Sequence, residues 1–429
     1  MRHRTTRLTL GVGGALLLAA SAAACSSSST SSTSSAPAAT SSSAAASTAT
    51  SSSASASTSS TAAAAGSCGS IPNIPYTDQS GLVSTLGTYA ANYDGFDGTI
   101  YKSTWSSWKG LTGNVKVGIL IDGLTNPFQP ELESSLESDL KADGYSTVAL
   151  APSSASVTDQ LQGYQTLLGD GVNLIIAQVQ SPTAYNTLID KAAKQGIPTI
   201  GVLNQIDDAN AVNVVPNSVL GGAELAQYVV QQAHDAGLIM FLHGIPGVPI
   251  DTDTANGANA VLKLCSGITT NESIVTQFAP PIAKQQMLAF LNTHPQPIAG
   301  VITAGPFTSG VIQAFLQAGK TVPVITNNGL DEGGLAYWVQ HESTYNGVAL
   351  VNTPNGLAYA TSEVTQKMLA GDGVKINTLS IDPPLATNAN LTQYVNIDPS
   401  WTINSAGTAT GPQAAYVSSA FIDAIFTKS

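Results

Sequence analysis

From residue 114 onward the sequence alternates with a steady rhythm that few folds can accommodate. The β-branched run 116–121 (KVGILI) is followed by Phe128, Leu132, Leu136 and Leu140, one apolar residue every fourth position. That spacing lies on one face of a helix over 127–142. Further short apolar runs follow at 146–150, 173–178 and 198–203, separated by helical patterns at 157–168 and 182–194. The pattern then restarts. Strands are expected at 212–215, 238–242, 273–278, 298–303, 322–326 and 346–351, and helices at 219–236, 252–264, 281–293, 306–318, 331–341 and 355–370. The strand runs are continuously apolar rather than alternating, so both of their faces are expected to be covered, as in a parallel sheet of an α/β fold. Two arrays of similar size fit this order better than one barrel of eight units.

The flanking segments read differently. Residues 1–25 begin with Arg2, Arg4 and Arg7, continue with an apolar run from Leu8 to Leu18, and end Ala22-Ala23-Ala24-Cys25. This is the layout of an export signal, with an apolar run too short to span a membrane. Cys25 stands where a bacterial lipobox carries its lipidated Cys, although Ala22 replaces the usual Leu; cleavage after Ala24 by an ordinary signal peptidase is the alternative. Residues 26–66 are almost entirely Ser, Ala and Thr. Such a segment cannot bury enough surface to offset its ordering entropy and reads as a disordered tether. The aromatic-rich 67–113 is expected to be an extension packed on the surface of the main fold. Residues 396–429 form a C-terminal extension, irregular apart from a short helix over 413–426.

Charge narrows the function classes. The three Arg all lie in the signal, which leaves 12 Lys against 27 acidic residues and no Arg in the exported part. An acidic, Arg-free surface disfavours nucleic acid as a partner and disfavours phosphate or carboxylate ligands. Cys68 and Cys265 remain after Cys25; outside the cytoplasm they can oxidise to a disulfide, or stay as two buried thiols. No Cys-x-x-Cys or His-x-x-x-His spacing suggests a metal.

Ligands of open α/β sheets bind beyond the carboxyl ends of the strands. The residues there are mostly neutral amides: Asn126, Gln178, Gln180, Asn204, Gln205, Asn217, Asn327, Asn328, Asn352 and Asn355, interspersed with Thr and Ser. Amides both donate and accept, as a hydroxyl-rich neutral ligand requires; Asn also favours turns and caps for purely structural reasons. Catalytic patterns are lacking. There is no Gly-x-Ser-x-Gly elbow. The Walker-like stretch from Ala314 to Thr321 follows a helix and precedes a strand, the reverse of a phosphate cradle. Gly319 reads as the cap of that helix. His243 stands alone, and Asp331 and Glu332 suit a helix N-terminus. The chain is therefore expected not to be an enzyme and to need no cofactor and no metal.

Over residues 114–390 the sequence resembles the type I periplasmic binding proteins for sugars, the ribose-binding group in particular. The stretches KVGILIDGLTNPF, DGVNLIIAQ, KQGIPTIGVLNQ, NVVPNSVLGGAELAQYV and AFLQAGKTVPVITNNG carry the resemblance. It implies two doubly wound parallel-sheet lobes joined by a three-strand hinge, with lobe 1 at 114–217 plus 353–382 and lobe 2 at 218–352 plus 383–395. It also implies ligand-binding roles for Asn126, Phe128, Gln129, Asn204, Thr252, Phe278, Gly305, Asn328 and Asn352, with Phe128 and Phe278 as aromatic faces for a sugar. Asn204 and Thr252 stand at family Arg positions, Leu203 and Asn328 at Asp positions, Gly305 at an Asn position, Asn352 at a Gln position and Gln129 at a second Phe. The charged clamps of the family are thus expected to be absent from this pocket. The resemblance implies a monomeric solute-binding protein, and the export signal with Cys25 leads to the expectation that it is lipid-anchored on the outer face of the cell membrane. It would pass a small neutral sugar or polyol to an ABC transporter permease, or report it to a membrane signalling protein. A repressor sharing this fold would carry a DNA-binding domain in place of the export signal.

Overall fold

The computed structural model describes residues 66–123, 126–150, 152, 154 and 156–427. The signal, Cys25 and nearly all of the tether lie outside the described residues.

In chain order, β1 (Thr77–Asp78), a 3-10 segment (Val83–Tyr93) and β2 (Thr99–Ile100) form the N-terminal extension. They are followed by β3 (Lys116–Leu120), α1 (Phe128–Ala142), β4 (Ser146–Leu150), α2 (Val157–Gly169), β5 (Leu174–Ala177), α3 (Asn186–Lys194), β6 (Thr199–Val202) and β7 (Ala211–Pro216). Next come α4 (Ser218–Gln232), β8 (Gly237–His243), α5 (Pro249–Leu262), β9 (Ile268–Val275), α6 (Pro280–Thr293), β10 (Ile298–Thr303) and α7 (Thr308–Gln317). The chain continues through β11 (Val324–Asn328), α8 (Glu332–Gln340), β12 (Val348–Leu350), α9 (Pro354–Leu369), β13 (Thr378–Ile381) and β14 (Leu385–Thr387). Short helices α10 (Leu391–Tyr394), α11 (Gln413–Tyr416) and α12 (Ser419–Ala424) end it.

Two six-stranded sheets organise these elements. Lobe 1 has the order β13-β7-β6-β5-β3-β4, and lobe 2 the order β14-β12-β11-β10-β8-β9. Every strand pair is parallel except β12 with β14. The chain crosses between lobes after β7, after β12 and after β13, which gives the three-strand hinge. Helix starts follow ordinary capping chemistry: Ser156, Asn217 and Thr353 accept backbone N–H groups with their side chains, and Pro opens α5, α6 and α9. Phe128, Leu132, Leu136 and Leu140 are all buried on the inner face of α1. Gly319 has a φ of 65° just past α7, as its capping role requires.

Several expectations need correction. The strand expected at 273–278 runs instead over Ile268–Val275, and Phe278 lies beyond it in a turn where Gln277 and Phe278 both take positive φ. Strands β13 and β14 are not among the strands expected from the sequence. The C-terminal helix expected over 413–426 is two helices separated at Val417–Ser418.

The extension 67–113 is also more than a surface layer. Val83, Tyr93 and Ile100 are fully buried in the core of lobe 1, together with Phe421, Ile422, Ile425 and Phe426 from the C-terminal tail. Tyr93 Oη donates to Thr378 O at 2.8 Å, and Tyr101 N donates to Asn377 Oδ1 at 2.8 Å. At its other end the extension reaches lobe 2. Cys68 and Cys265 form a disulfide, and Gln227 Nε2 of α4 donates to Gly69 O at 2.9 Å. Between these ends, Asn217 Nδ2 at the first crossing donates to Asn92 O and Asp94 O, and Ser380 Oγ of β13 donates to Asn92 O. The extension is therefore a strap that runs from lobe 2 across the hinge into lobe 1.

Candidate functional site

The carboxyl ends of both sheets face one cavity, which encloses about 420 Å³ of empty space with its mouth included. From lobe 1 it is lined by Asp122, Asn126, Phe128, Gln129, Gln178, Leu203 and Asn204. Lobe 2 contributes Val248, Ile250, Phe278, Ala304, Gly305, Pro306, Asn328 and Gly329, and the second crossing contributes Asn352. This mixture of apolar walls with a few polar groups is usual for a small-molecule site.

Eight of the nine residues named from sequence meet here. Thr252 does not. Val248 and Ile250 line the cavity from the start of α5, and a residue two positions after Ile250 on a helix points about 200° away. The cavity residues that sequence reading passed over as site members are Asp122, Gln178, Leu203 and the apolar Val248, Ile250, Ala304, Pro306 and Gly329. Asp122 corrects the expectation that charge is absent from the pocket. It is the first ionisable residue beyond β3, so the strand-end rule applied to that strand would have found it.

Phe128 is placed by a simple device. Its backbone N donates to Asn126 Oδ1 at 3.0 Å, which pins the start of α1 and sets the ring at the cavity wall. Phe278 is placed by a strained one. Its φ is 57°, a region that a bulky residue adopts only when its surroundings impose it. Its ring lies over two glycines: a Cβ on Gly244 would fall 2.1 Å from the ring, and one on Gly305 would fall 2.6 Å from it. Gly305, which stands where an Asn is usual in the resembled family, thus makes room for Phe278. Phe307 supports the ring from behind, with centroids 6.5 Å apart. Leu203, another cavity residue, also has a positive φ of 66°.

The amides are not equivalent. Asn204 is fully buried and spends both ends on the protein: Nδ2 donates to Val179 O at 2.8 Å, and Oδ1 accepts from Ile250 N at 3.3 Å. The second of these bonds joins the lobes. Gln205 Nε2 adds another by donating to Asp253 Oδ2 at 3.1 Å. Asp253 is held well above the usual carboxylate range, first by burial and then by the nearby Asp97. Asp122 Oδ2 accepts from Gln178 Nε2 at 2.6 Å and from Gln180 Nε2 at 2.8 Å. Gln178 Oε1 and Gln129 Oε1 are buried with no hydrogen-bond partner among the described residues. Asn352 Oδ1 accepts from Tyr416 Oη at 3.0 Å. Asn328 makes no side-chain hydrogen bond to the described residues. The neighbouring Asn327 holds the turn after β11 through both ends of its amide, to Asp331 N and Asp331 O.

Other titratable groups lie outside the cavity. His243 is raised above its ordinary value, chiefly by the hydrogen bond to Asp251, whose carboxylate also accepts from Gly244 N. This pair ties the glycine under Phe278 to α5. Among the described residues no group of three or more His, Cys, Asp or Glu is placed to hold a metal ion. No helix among them is long and apolar enough to cross a membrane.

Comparison with known proteins agrees with this architecture. The chain is 23% identical over 275 residues to a xylitol-binding protein of Mycolicibacterium smegmatis, covering 63% of this chain and 76% of that protein. In three dimensions it resembles an ABC transporter periplasmic solute-binding protein from Actinobacillus succinogenes solved with bound D-allose. The TM-score there is 0.59 at 18% identity, covering 66% of this chain and all of that one. An ABC transporter solute-binding protein from Mycobacterium smegmatis with bound glycerol gives a TM-score of 0.59 at 19% identity, covering 67% of this chain and 99% of that one. The family model described as a periplasmic binding protein domain matches residues 117–373. With two parallel-sheet lobes, three crossings and a cavity between the sheet ends, the chain belongs to the periplasmic binding protein family.

Proposed function

We propose that this protein captures a small, neutral, hydroxyl-rich ligand, a sugar or polyol, in the interlobe cavity and delivers it to an ABC permease. It acts outside the cytoplasm, anchored through a lipid on Cys25, as a monomer and without bond chemistry. The observation that carries this reading is the cavity itself. An aromatic ring from each lobe, Phe128 and Phe278, borders it together with amides from both lobes and one crossing. Aromatic faces pack against the C–H faces of a sugar, and amides pair with its hydroxyls. The relatives solved with D-allose and glycerol, and the xylitol-binding relative, support the ligand class. Because the ligand touches both lobes, it favours the closed arrangement by its difference in affinity between closed and open states.

The test is a thermal-shift screen of the full chain, purified in mild detergent, against neutral sugars and polyols. One class of compound should raise Tm in a concentration-dependent way. Phe128→Ala and Asn328→Ala should each abolish most of that rise. A rise that survives both substitutions would place the ligand elsewhere, and a complete panel with no rise would remove the sugar or polyol reading.

A further inference from the structure

An isolated amide side chain can turn over and offer either its oxygen or its NH₂ group, so a cavity lined by free amides has no fixed hydrogen-bond polarity. Gln178 and Asn352 lack this freedom, for reasons that lie in the surrounding protein. Gln178 must place Nε2 against the Asp122 carboxylate, because a carboxylate only accepts. Its Oε1 is therefore fixed as the other end, and that oxygen is buried without a partner among the described residues, at a residue only 2% exposed. A buried acceptor left unpaired is unfavourable. This one is relieved when a ligand brings a donor.

Asn352 has the opposite setting. The Tyr416 hydroxyl is buried, and burial pushes its pKa up, so it stays protonated and donates to Asn352 Oδ1. The Asn352 NH₂ group is then the end left for a ligand, and it makes no hydrogen bond to the described residues. Tyr416 belongs to the C-terminal tail, far outside the matched family segment 117–373. Its ring is held against Gly356 of α9, where a Cβ would come within 2.8 Å of it.

We infer that Tyr416 and Asp122 are positioning residues that give the cavity a fixed polarity, with an acceptor at Gln178 and a donor at Asn352. This rests on the reading of the cavity as the ligand site. It also sharpens the ligand class. A hydroxyl satisfies either end, since it donates and accepts. A ligand carrying only acceptors fails at Gln178, and an ammonium group fails at Asn352. The cavity therefore selects compounds that bring a donor to Gln178 and an acceptor to Asn352, as two suitably placed hydroxyls do.

Two measurements on the full chain test this. The first uses xylitol as the probe in titration calorimetry. Tyr416→Phe keeps the ring and removes only the hydroxyl; it should weaken xylitol binding about tenfold, the scale of one hydrogen bond. Asn352→Ala should weaken it at least as much, and the double variant should be no weaker than Asn352→Ala alone. Asp122→Asn should show the same non-additivity with Gln178→Ala. Fully additive losses would overturn the inference, because residues that act independently of each other give additivity. The second measurement needs no ligand. In protein labelled with ¹⁵N at asparagine, the Asn352 side-chain NH₂ pair, identified by its loss in Asn352→Ala, should shift in Tyr416→Phe. An unmoved pair would overturn the inference. If xylitol and other polyols fail to bind the unaltered protein, the polyol reading fails, while the NH₂ signals still decide whether Tyr416 fixes Asn352.

Discussion

The two lobes have the same architecture but are completed in different ways. Lobe 1 takes fully buried side chains from both ends of the chain: Val83, Tyr93 and Ile100 from the strap, and Ile422, Ile425 and Phe426 from the tail. The main core of lobe 2 is built almost wholly from its own segment, with Cys68, Ile71 and Ile74 only partly buried against it. There the strap is held covalently, by Cys68–Cys265. The lobes also differ in how they present an aromatic ring. Lobe 1 uses the first residue of a helix, held through the Asn126 side chain, and lobe 2 uses a left-handed residue lying over glycines. The difference teaches that one fold can reach one cavity through local rules on one side and through close packing on the other.

The largest expected effect probes the borrowed core of lobe 1. Phe426 is 1% exposed, so Phe426→Ala should lower stability by about 3–5 kcal/mol in denaturant unfolding. Hydrogen exchange should then rise in β3, β5, β6 and β7 more than in β8, β10 and β11. Equal loss in both sheets would mean that the lobes unfold as one unit and that the contrast is only geometric.

Breaking the covalent attachment should come next. Cys68→Ser with Cys265→Ser opens a connection between residues 197 apart in sequence and should reduce stability by about 2–4 kcal/mol. Here the faster exchange should fall on residues 66–74 and the end of α5, leaving the lobe 1 core protected. Loss of protection at Tyr93 as well would show that the strap is a single cooperative piece.

The two aromatic placements can be compared directly. Gly244→Ala sets a methyl against the Phe278 ring and should be destabilising by about 1–3 kcal/mol. Asn126→Ala removes only a cap-like hydrogen bond and should lower stability by about 1 kcal/mol. If Asn126→Ala proved the more damaging in thermal unfolding, Phe278 would not be the more tightly constrained of the two rings.

A further prediction concerns pH. Burial pushes Asp331 of lobe 2 and Asp382 of the third crossing up to about 6, and Glu224 of α4, with Asp382 adding negative charge, up to about 8. Acids raised in this way bind more protons folded than unfolded. Their contribution is fully present below the ordinary carboxylate range and is lost as pH rises through about 6 and then about 8. Tm should therefore fall from pH 5 to pH 9. Glu224→Gln should flatten the upper part of that fall, and an unchanged slope would show that Glu224 keeps an ordinary value.

Much of the fold is legible in the sequence, because continuous apolar runs and four-residue spacing are local signals. The pattern at 114–203 translates almost directly into β3 through β6. The strap was not legible as core: Val83, Tyr93 and Ile100 lack periodicity, and their burial depends on β13 and the tail, which arrive more than 270 residues later. Within the cavity, Asn126 and Phe128 follow from the helix start they form, and Asn328 and Asn352 from their places after strands. Thr252, expected only from the resemblance, lies outside the cavity because on α5 it points about 200° away from Ile250. Asp122 stands in the same strand-end position as the amides and breaks their neutral pattern.

The sequence by itself determined the alternation of strand and helix, the division into two arrays and the row of amides at the strand ends. These follow from period, propensity and capping, all of which act within a few residues. Tertiary structure alone decided what each amide does. Asn204 is consumed in joining the lobes, Gln178 is turned by Asp122, and Asn352 is turned by a tyrosine 64 residues away. A side-chain amide is symmetric enough in shape that only its neighbours can fix which end faces the cavity, and those neighbours come from distant parts of the chain.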